Sequence, residues 1–304
     1  MKNLVIINKQ LKDVGLKVKS IENINKGQGR IHKYLIKTQS EKYVLKISPM
    51  FDPMKLQEQM NNIRRLNETE KVSIYPIHNE PLNFENGCGY IYKFAEGIEL
   101  QSRLMHQDCR IDFYDYEYGK FVGKFHKLGK NITTSSRKSI HWKQILKRVK
   151  KNLKLVKIDN LRNLYTELLQ SISDILYKNF DRRISTRTQL VHKDIYPTNI
   201  IVSSQNKWTL IDMDYLSCDH VGIDLAASIW VAHATIRTNK FLLGYTSESK
   251  LTKNEVESLP LFALLRELTW INNAIKHELS NHEKRIVFST ERLKLIKSFI
   301  KNGV

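Results

Sequence analysis

His192, Asp194 and Asn199 form an H-x-D-x-x-x-x-N arrangement within LVHKDIYPTNIIV, residues 190–202. Asp212 follows at the end of a short apolar stretch in LIDMDYLSCDHVGIDLA, residues 210–226. Groups of these types in this order suit phosphoryl transfer: one carboxylate accepts the proton of an attacking hydroxyl, while an amide and a second carboxylate hold Mg²⁺ on nucleotide phosphates. Leu190 and Val191 lead into the loop, and Ile200, Ile201 and Val202 lead out as a buried strand. Trp208, Leu210 and Ile211 read as the returning strand of a hairpin, which delivers Asp212 beside Asn199. Taken singly, an Asp or Asn in a turn bends the backbone, and an Asp after a strand caps the next helix. The conjunction among apolar strands is what points to chemistry.

At these residues the chain resembles the aminoglycoside phosphotransferase and choline kinase-like enzymes, which carry the protein-kinase fold. The H-x-D-x-x-x-x-N match is complete, with Lys193 where that family usually has Gly. IDMD resembles its I-D-F/W metal-binding segment, Met213 replacing the aromatic, and Gly222-Ile223-Asp224-Leu225-Ala226 resembles its G-x-D-L-A. The resemblance implies Asp194 as catalytic base, Asn199 and Asp212 as Mg²⁺ ligands, and His192 and Asp224 as structural supports of the loop. It also implies ATP or GTP as phosphoryl donor.

The elements that must position these groups follow from the rest of the chain. Residues 3–13 read as a helix, followed by strands over 18–24, 33–38 and 42–48. Gly27 and Gly29 lie between the first two strands, where amides without side chains can approach phosphates, although two such glycines are also an ordinary turn. Lys46 alternates with apolar neighbours in YVLKIS, and a half-buried lysine needs an anionic partner. An edge-strand lysine facing water is the plainer reading. The arrangement resembles the phosphate loop and ATP-binding lysine of the kinase fold. Pro53 opens a helical pattern over 54–66 that carries Glu58, the expected partner of Lys46, although the family's spacing places that partner at Gln59. Further strands are expected over 74–78 and 89–95. YIYKFAEGIEL, residues 90–100, resembles the family's hinge, where the Lys93 carbonyl and Ala95 amide would bind adenine. Helices are expected over 98–106, 112–129, 141–156, 160–179, 223–240, 253–277 and 289–301, with His126 near the end of the second in a structural role.

These elements imply an α+β, bilobal protein-kinase-like fold: a small antiparallel-sheet lobe with one helix over 1–93, a hinge at 94–97, and a larger, mainly helical lobe over 98–304. Hydrophobic content of 41% and charged content of 27% suit a soluble globular chain of 304 residues. Cys88, Cys109 and Cys218 are scattered and make neither a disulfide framework nor a zinc spacing, so a reducing cytoplasm is expected. No apolar run is long enough for a membrane span, and the N-terminal apolar stretch breaks too early for a signal peptide. The net charge of +19 invites a nucleic-acid reading. Its densest segment, residues 143–157, nevertheless repeats apolar residues at helical spacing without interleaved aromatics, so it reads as a solvated helix face.

Asp224 follows Asp212 by only twelve positions, too few for the peptide-binding platform of a protein kinase. The expected acceptor is therefore a hydroxyl of a small molecule: an aminoglycoside or other antibiotic, an amino alcohol, homoserine or a sugar. A polycationic acceptor would call on Asp214, Asp219 and Glu267, and Tyr196, Trp230 and Trp270 offer faces for a sugar or a quaternary ammonium. The competing readings are a catalytically idle kinase-fold protein that binds a partner or builds a structure, and a nucleic-acid-binding protein.

Overall fold

The computed structural model describes residues 2–24, 31–85, 87–105, 111–134, 142–183, 187–230, 238–276 and 282–302. Gly27 and Gly29 lie outside them, as does Cys109. Two compact units are present: one comprises residues 1–106 with 198–216, the other 107–197 with 217–304. The hairpin bearing Asn199 and Asp212 thus belongs to the first unit, and Asp194 to the second.

In the first unit, β1 (Ser20–Asn23), β2 (His32–Lys37), β3 (Lys42–Ser48), β4 (Leu82–Phe84) and β5 (Gly87–Lys93) form an antiparallel sheet of order β1-β2-β3-β5-β4. Helix α1 (Lys2–Asp13) lays Ile7 and Leu11 into a core with Tyr34, Ile36, Tyr43, Leu45, Ile47, Leu82 and Ile91. Each fully buried aliphatic side chain of this kind contributes roughly 1.5–3 kcal/mol. Residues alternate across a strand, so the face of β3 opposite Tyr43, Leu45 and Ile47 carries Val44 and Lys46. Helix α2 (Pro53–Leu66) starts where Asp52 accepts a hydrogen bond from the Lys55 amide and Pro53 takes the first turn.

Segment 74–78, expected as a strand, makes only isolated bridges, Ser73 to Leu210 and Pro76 to Tyr92. Pro76 lies within this segment, and its missing amide prevents a continuous ladder. The partner of β5 around ENGCG is instead β4. The expected helix from residue 98 opens as β6 (Ile98–Glu99) before α3 (Leu100–Met105).

β6 pairs with β8 (Ile200–Val202), which pairs in turn with β9 (Trp208–Leu210). Gly97 has φ +146°, and a Cβ there would stand 2.4 Å from the Val202 carbonyl oxygen, so the close approach of the two strands requires glycine. Asn67 accepts from the amides of Val72 and Ser73, and this fixed segment flanks β9: Leu210 N donates to Val72 O and Ile74 N to Leu210 O.

The second unit is mainly helical. It contains α4 (Ile111–Gly129), α5 (Trp142–Leu153), α6 (Asp159–Arg183), α7 (Gly222–Trp230), α8 (Thr238–Glu248), α9 (Lys253–Lys276) and α10 (His282–Asn302). Residues 231–237 lie outside the described residues, so the single helix expected over 223–240 is represented by α7 and the start of α8. A small sheet pairs β7 (Thr188–Val191) with β10 (Ser217–His220). Gly119 of α4 and Gly244 of α8 let the helix backbones touch: a Cβ on the first would lie 1.8 Å from the Phe241 carbonyl oxygen, and on the second 1.9 Å from that of Tyr116. Thr252 and Glu255 form a reciprocal capping box that starts α9. In α5, Trp142, Leu146 and Val149 are buried while Lys143, Lys147, Lys150 and Lys151 are exposed, the amphipathic arrangement its spacing implies. Among the described residues, no helix is long and apolar enough to cross a membrane.

Candidate functional site

In the first unit the hairpin closes as its sequence implies. Ile200 pairs with Leu210, and the Ile211 amide donates to the Asn199 carbonyl at 2.8 Å, so Asp212 begins one residue beyond a bond to Asn199. Asp212 itself adopts a left-handed backbone, φ 62° and ψ 52°. Its carboxylate accepts from Lys46 Nζ through a short bond and from Lys33 Nζ at 3.1 Å.

Lys46 is 1% exposed and reaches a second carboxylate, Asp214, at 2.9 Å. Tyr90, directly across the ladder from Lys46, donates its hydroxyl to the other oxygen of Asp214 at 2.9 Å. Burial works against the Lys46 charge, but Asp214, Tyr92 and Asp212 outweigh it and hold the ammonium above its ordinary pKa. Burial also pushes the Asp212 carboxyl up, and Lys46 and Lys33 overcome this to leave it well below the usual range. For Asp214, burial and the neighbouring Asp212 prevail over Lys46 and the carboxyl is raised.

The expected Lys46–Glu58 pair is therefore not what the fold builds: the carboxylates on Lys46 are Asp212 and Asp214. The helix contributes Gln59 instead, whose Nε2 donates to the Met213 carbonyl. The physical reason is register. Glu58 and Gln59 are both half-buried on α2, and Gln59 is the one whose side chain meets the segment that follows Asp212. Asp214, named as an acceptor-binding candidate, has a side chain only 6% exposed and is consumed by Lys46 and Tyr90.

Stranding a buried charge by removing its partner costs about 3–5 kcal/mol, and Lys46 would retain Asp212, so Asp214→Ala is expected to cost roughly 2–3 kcal/mol. Urea unfolding of the variant checks this, and an unchanged midpoint would show that Lys46 does not depend on Asp214.

At the end of β5, the Phe94 amide donates to the Lys42 carbonyl at 2.9 Å. Alternation along an antiparallel pair then directs the Lys93 carbonyl and the Ala95 amide away from β3. The Lys93 side chain pairs with Glu41 at the surface.

In the second unit the loop after β7 is held through its backbone. Asp224, fully buried at the start of α7, accepts from the His192 amide at 2.8 Å and the Lys193 amide at 2.7 Å. His126 Nε2 donates to the same carboxylate at 3.0 Å, and its Nδ1 accepts from the Tyr245 hydroxyl at 2.9 Å. Burial pushes the Asp224 carboxyl up, but the His126 hydrogen bond, with the electrostatic influence of the His126 and His192 rings and the His192 amide, holds it below the ordinary value. His192 Nδ1 accepts from the Asp194 amide at 3.2 Å. The Ile195 carbonyl accepts from the Tyr118 hydroxyl at 2.6 Å.

Arg266 of α9 completes the loop. Its guanidinium donates to the Lys193 carbonyl and the Tyr196 hydroxyl, and lies 3.6 Å from Asp194 Oδ1. Sequence reasoning missed Arg266, Tyr90 and the ligation of Asp224 by His126.

Lys193, at the position where a glycine was expected, has φ 67°. A left-handed backbone costs a residue with a Cβ about 1–2 kcal/mol. The compensation is its side chain, which pairs with Asp219 at 2.7 Å, a carboxylate 1% exposed. Lys193→Gly relieves the backbone but strands Asp219, and the second effect is the larger, so the variant is expected to be about 1–2 kcal/mol less stable than the parent. Adding Asp219→Asn is expected to return the loss, read as a thermal midpoint.

The groups proposed for a cationic acceptor are engaged elsewhere in the fold. Asp219 holds Lys193, and Glu267, 2% exposed, holds Arg292 at 2.6 Å and Ser289 at 3.0 Å. The Tyr196 ring lies 5.1 Å from the Arg266 guanidinium, and the Trp270 ring 5.3 Å from that of Arg292. Their faces already serve cations of the chain itself. The side chain of Trp230 lies outside the described residues.

Among the described residues, no cluster of three or more His, Cys, Asp or Glu side chains forms a metal cage. A Mg²⁺ ion on nucleotide phosphates does not need one, because it takes one or two protein oxygens plus phosphate and water. The hairpin brings the backbones of Asn199 and Asp212 together, and an amide oxygen and a carboxylate are donors of the kind that requirement calls for.

Comparison with curated protein sequences finds no match. Comparison with solved structures finds many. A spectinomycin phosphotransferase, APH(9)-Ia, in complex with ADP and spectinomycin superposes with a TM-score of 0.71 at 16% identity, covering 96% of this chain and 97% of that one. A microcompartment-associated aminopropanol kinase superposes with a TM-score of 0.72 at 17% identity, covering 97% and 98%. The choline kinase LicA from Streptococcus pneumoniae gives 0.63 at 18% identity, covering 97% and 100%. At these identities the likeness establishes a protein-kinase-like phosphotransferase fold. The family model that matches spans residues 21–253, well over half of the chain. The chain belongs to the APH phosphotransferase enzyme family.

Proposed function

We propose that this protein is a Mg²⁺-dependent kinase that moves the γ-phosphoryl group of ATP or GTP to a hydroxyl of a small molecule. The observation that carries this reading is the buried Lys46, fixed on the Asp212 carboxylate at the end of the Asn199 hairpin. A buried ammonium beside a hard carboxylate is the pairing that phosphates and a divalent ion together require.

In this reading Lys46 contacts the nucleotide phosphates, and Gly27 and Gly29 border them. The Lys93 carbonyl and Ala95 amide receive the adenine edge. Asn199 and Asp212 would hold the ion, which supplies neutralisation of the charge developing on the phosphates. Asp194 accepts the proton of the acceptor hydroxyl as that oxygen bonds to phosphorus and the bond to the nucleotide's bridging oxygen breaks. His192 and Asp224 keep the loop in shape.

The engagement of Asp214, Asp219, Glu267, Tyr196 and Trp270 within the fold favours an acceptor without concentrated positive charge, such as a sugar or a hydroxy acid. The test is incubation with MgATP or MgGTP and a panel of sugars, hydroxy acids, amino alcohols and aminoglycosides, followed by ³¹P NMR. A new phosphate-ester signal is expected with an uncharged or anionic alcohol. Absence of nucleotide binding by calorimetry, with and without Mg²⁺, would overturn the reading.

A further inference from the structure

Arg266 lies seventy-two residues beyond Asp194 in the chain, in the mostly buried middle of α9. The stretch SLPLFALLREL buries Leu259, Leu261, Phe262, Leu264, Leu265 and Leu268, so a cation within it must find partners on the loop it faces. It finds three along a single short segment: the Lys193 carbonyl, the Asp194 carboxylate at 3.6 Å and the Tyr196 hydroxyl. Its guanidinium also lies over the Tyr196 ring, at 5.1 Å. A planar fork on a rigid helix can fix backbone, carboxylate and ring at once, which a point charge on a flexible stem cannot.

We propose that Arg266 is a positioning residue for the Asp194 carboxylate, fixing its orientation and keeping it ionised without itself contacting the acceptor. This rests on the kinase reading only for the role of Asp194.

The following charged and titratable groups of the second unit hold the Asp194 loop. On its own loop, His192 accepts its amide, and the Lys193 ammonium is directed to Asp219 of β10. From α7, Asp224 takes the His192 and Lys193 amides, and from α4, His126 takes Asp224. Arg266 is the cation of α9 that reaches the Asp194 carboxylate. Burial weakens the arginine charge and the Asp194 carboxylate restores it in part, as expected of a desolvated pair.

The test needs no acceptor. In protein carrying ¹³C-labelled aspartate carboxyls, the Asp194 signal is identified by its loss in Asp194→Asn and followed through a pH titration. An opposite charge within about 4–6 Å depresses a carboxyl by about 1–3 pH units, so in Arg266→Met the midpoint is expected to rise by about 1–2. In Arg266→Lys it is expected to stay near the parent's, because the charge remains. Where a productive acceptor is in hand, both variants are expected to lose about 100-fold in kcat with the nucleotide Kd unchanged, the scale of a misplaced reacting group.

An unmoved Asp194 midpoint in a folded Arg266→Met protein overturns the proposal. Should Arg266→Met fail to fold, Tyr196→Phe removes one of the three partners and is expected to raise the midpoint in the same direction by a smaller amount; no change there has the same overturning force. If instead Asp194→Asn retains full turnover, the kinase role of Asp194 falls while the midpoint shift still decides whether Arg266 holds it.

Discussion

Asp212→Ala is expected to abolish phosphoryl transfer and make nucleotide binding nearly indifferent to Mg²⁺. The carboxylate follows a backbone bond from Ile211 to Asn199, and with the Asn199 amide it supplies the oxygen donors proposed for the ion. Removing it leaves the amide alone, too weak a ligand to retain an ion that coordinates through carboxylate and phosphate oxygens. The same carboxylate repels phosphates when no ion is bound, so metal-free nucleotide affinity is expected to hold or rise. The fold survives, because Lys46 keeps Asp214 and Tyr90 keeps its acceptor. Calorimetry of ATP with and without Mg²⁺ separates these effects. A metal dependence equal to the parent's would remove Asp212 from the ion site.

Asp194→Asn is expected to lower turnover by about 10²–10⁴-fold, the usual contribution of general base catalysis. The amide matches the carboxylate in shape and keeps the loop's backbone bonds, which run through the Asp224 carboxylate, Tyr118 and Arg266 rather than through the Asp194 side chain alone. What it loses is the ability to take a proton. Nucleotide affinity is therefore expected to stay within about twofold, since no proton moves on binding the donor. Retention of kcat near the parent's on a productive acceptor would show the assignment to be wrong.

The parts of this fold that were legible in the sequence are the local ones. The β8–β9 hairpin and its Asn199–Asp212 approach follow from two short apolar runs around a turn. Strand β3 with an inward Lys46, and helix α2 starting at Pro53, follow from alternation and capping chemistry. The partner of Lys46 did not follow, because Asp214 lies 168 residues away and nothing in its own neighbourhood distinguishes it from a turn residue. A signal was present in Tyr90: a tyrosine in the middle of a fully buried strand must place its hydroxyl on something. Arg266 and Glu267 carried a comparable signal as charges inside an apolar run. Each demands a partner, but which one is decided by tertiary contact.

Lys193 and Asp219 are joined in a way that bears on how this chain can change. The lysine occupies a backbone position that favours glycine and is tolerated with a buried acid waiting for its ammonium. The acid, in turn, is tolerated in the interior because the lysine is there. Each substitution is expected to be harmful by itself and to restore stability after the other, so the pair is expected to show strong epistasis. A change to glycine at 193 therefore has to be accompanied by the loss of the acid at 219. The coupling of the two steps, more than the cost of either, limits the routes open to this loop.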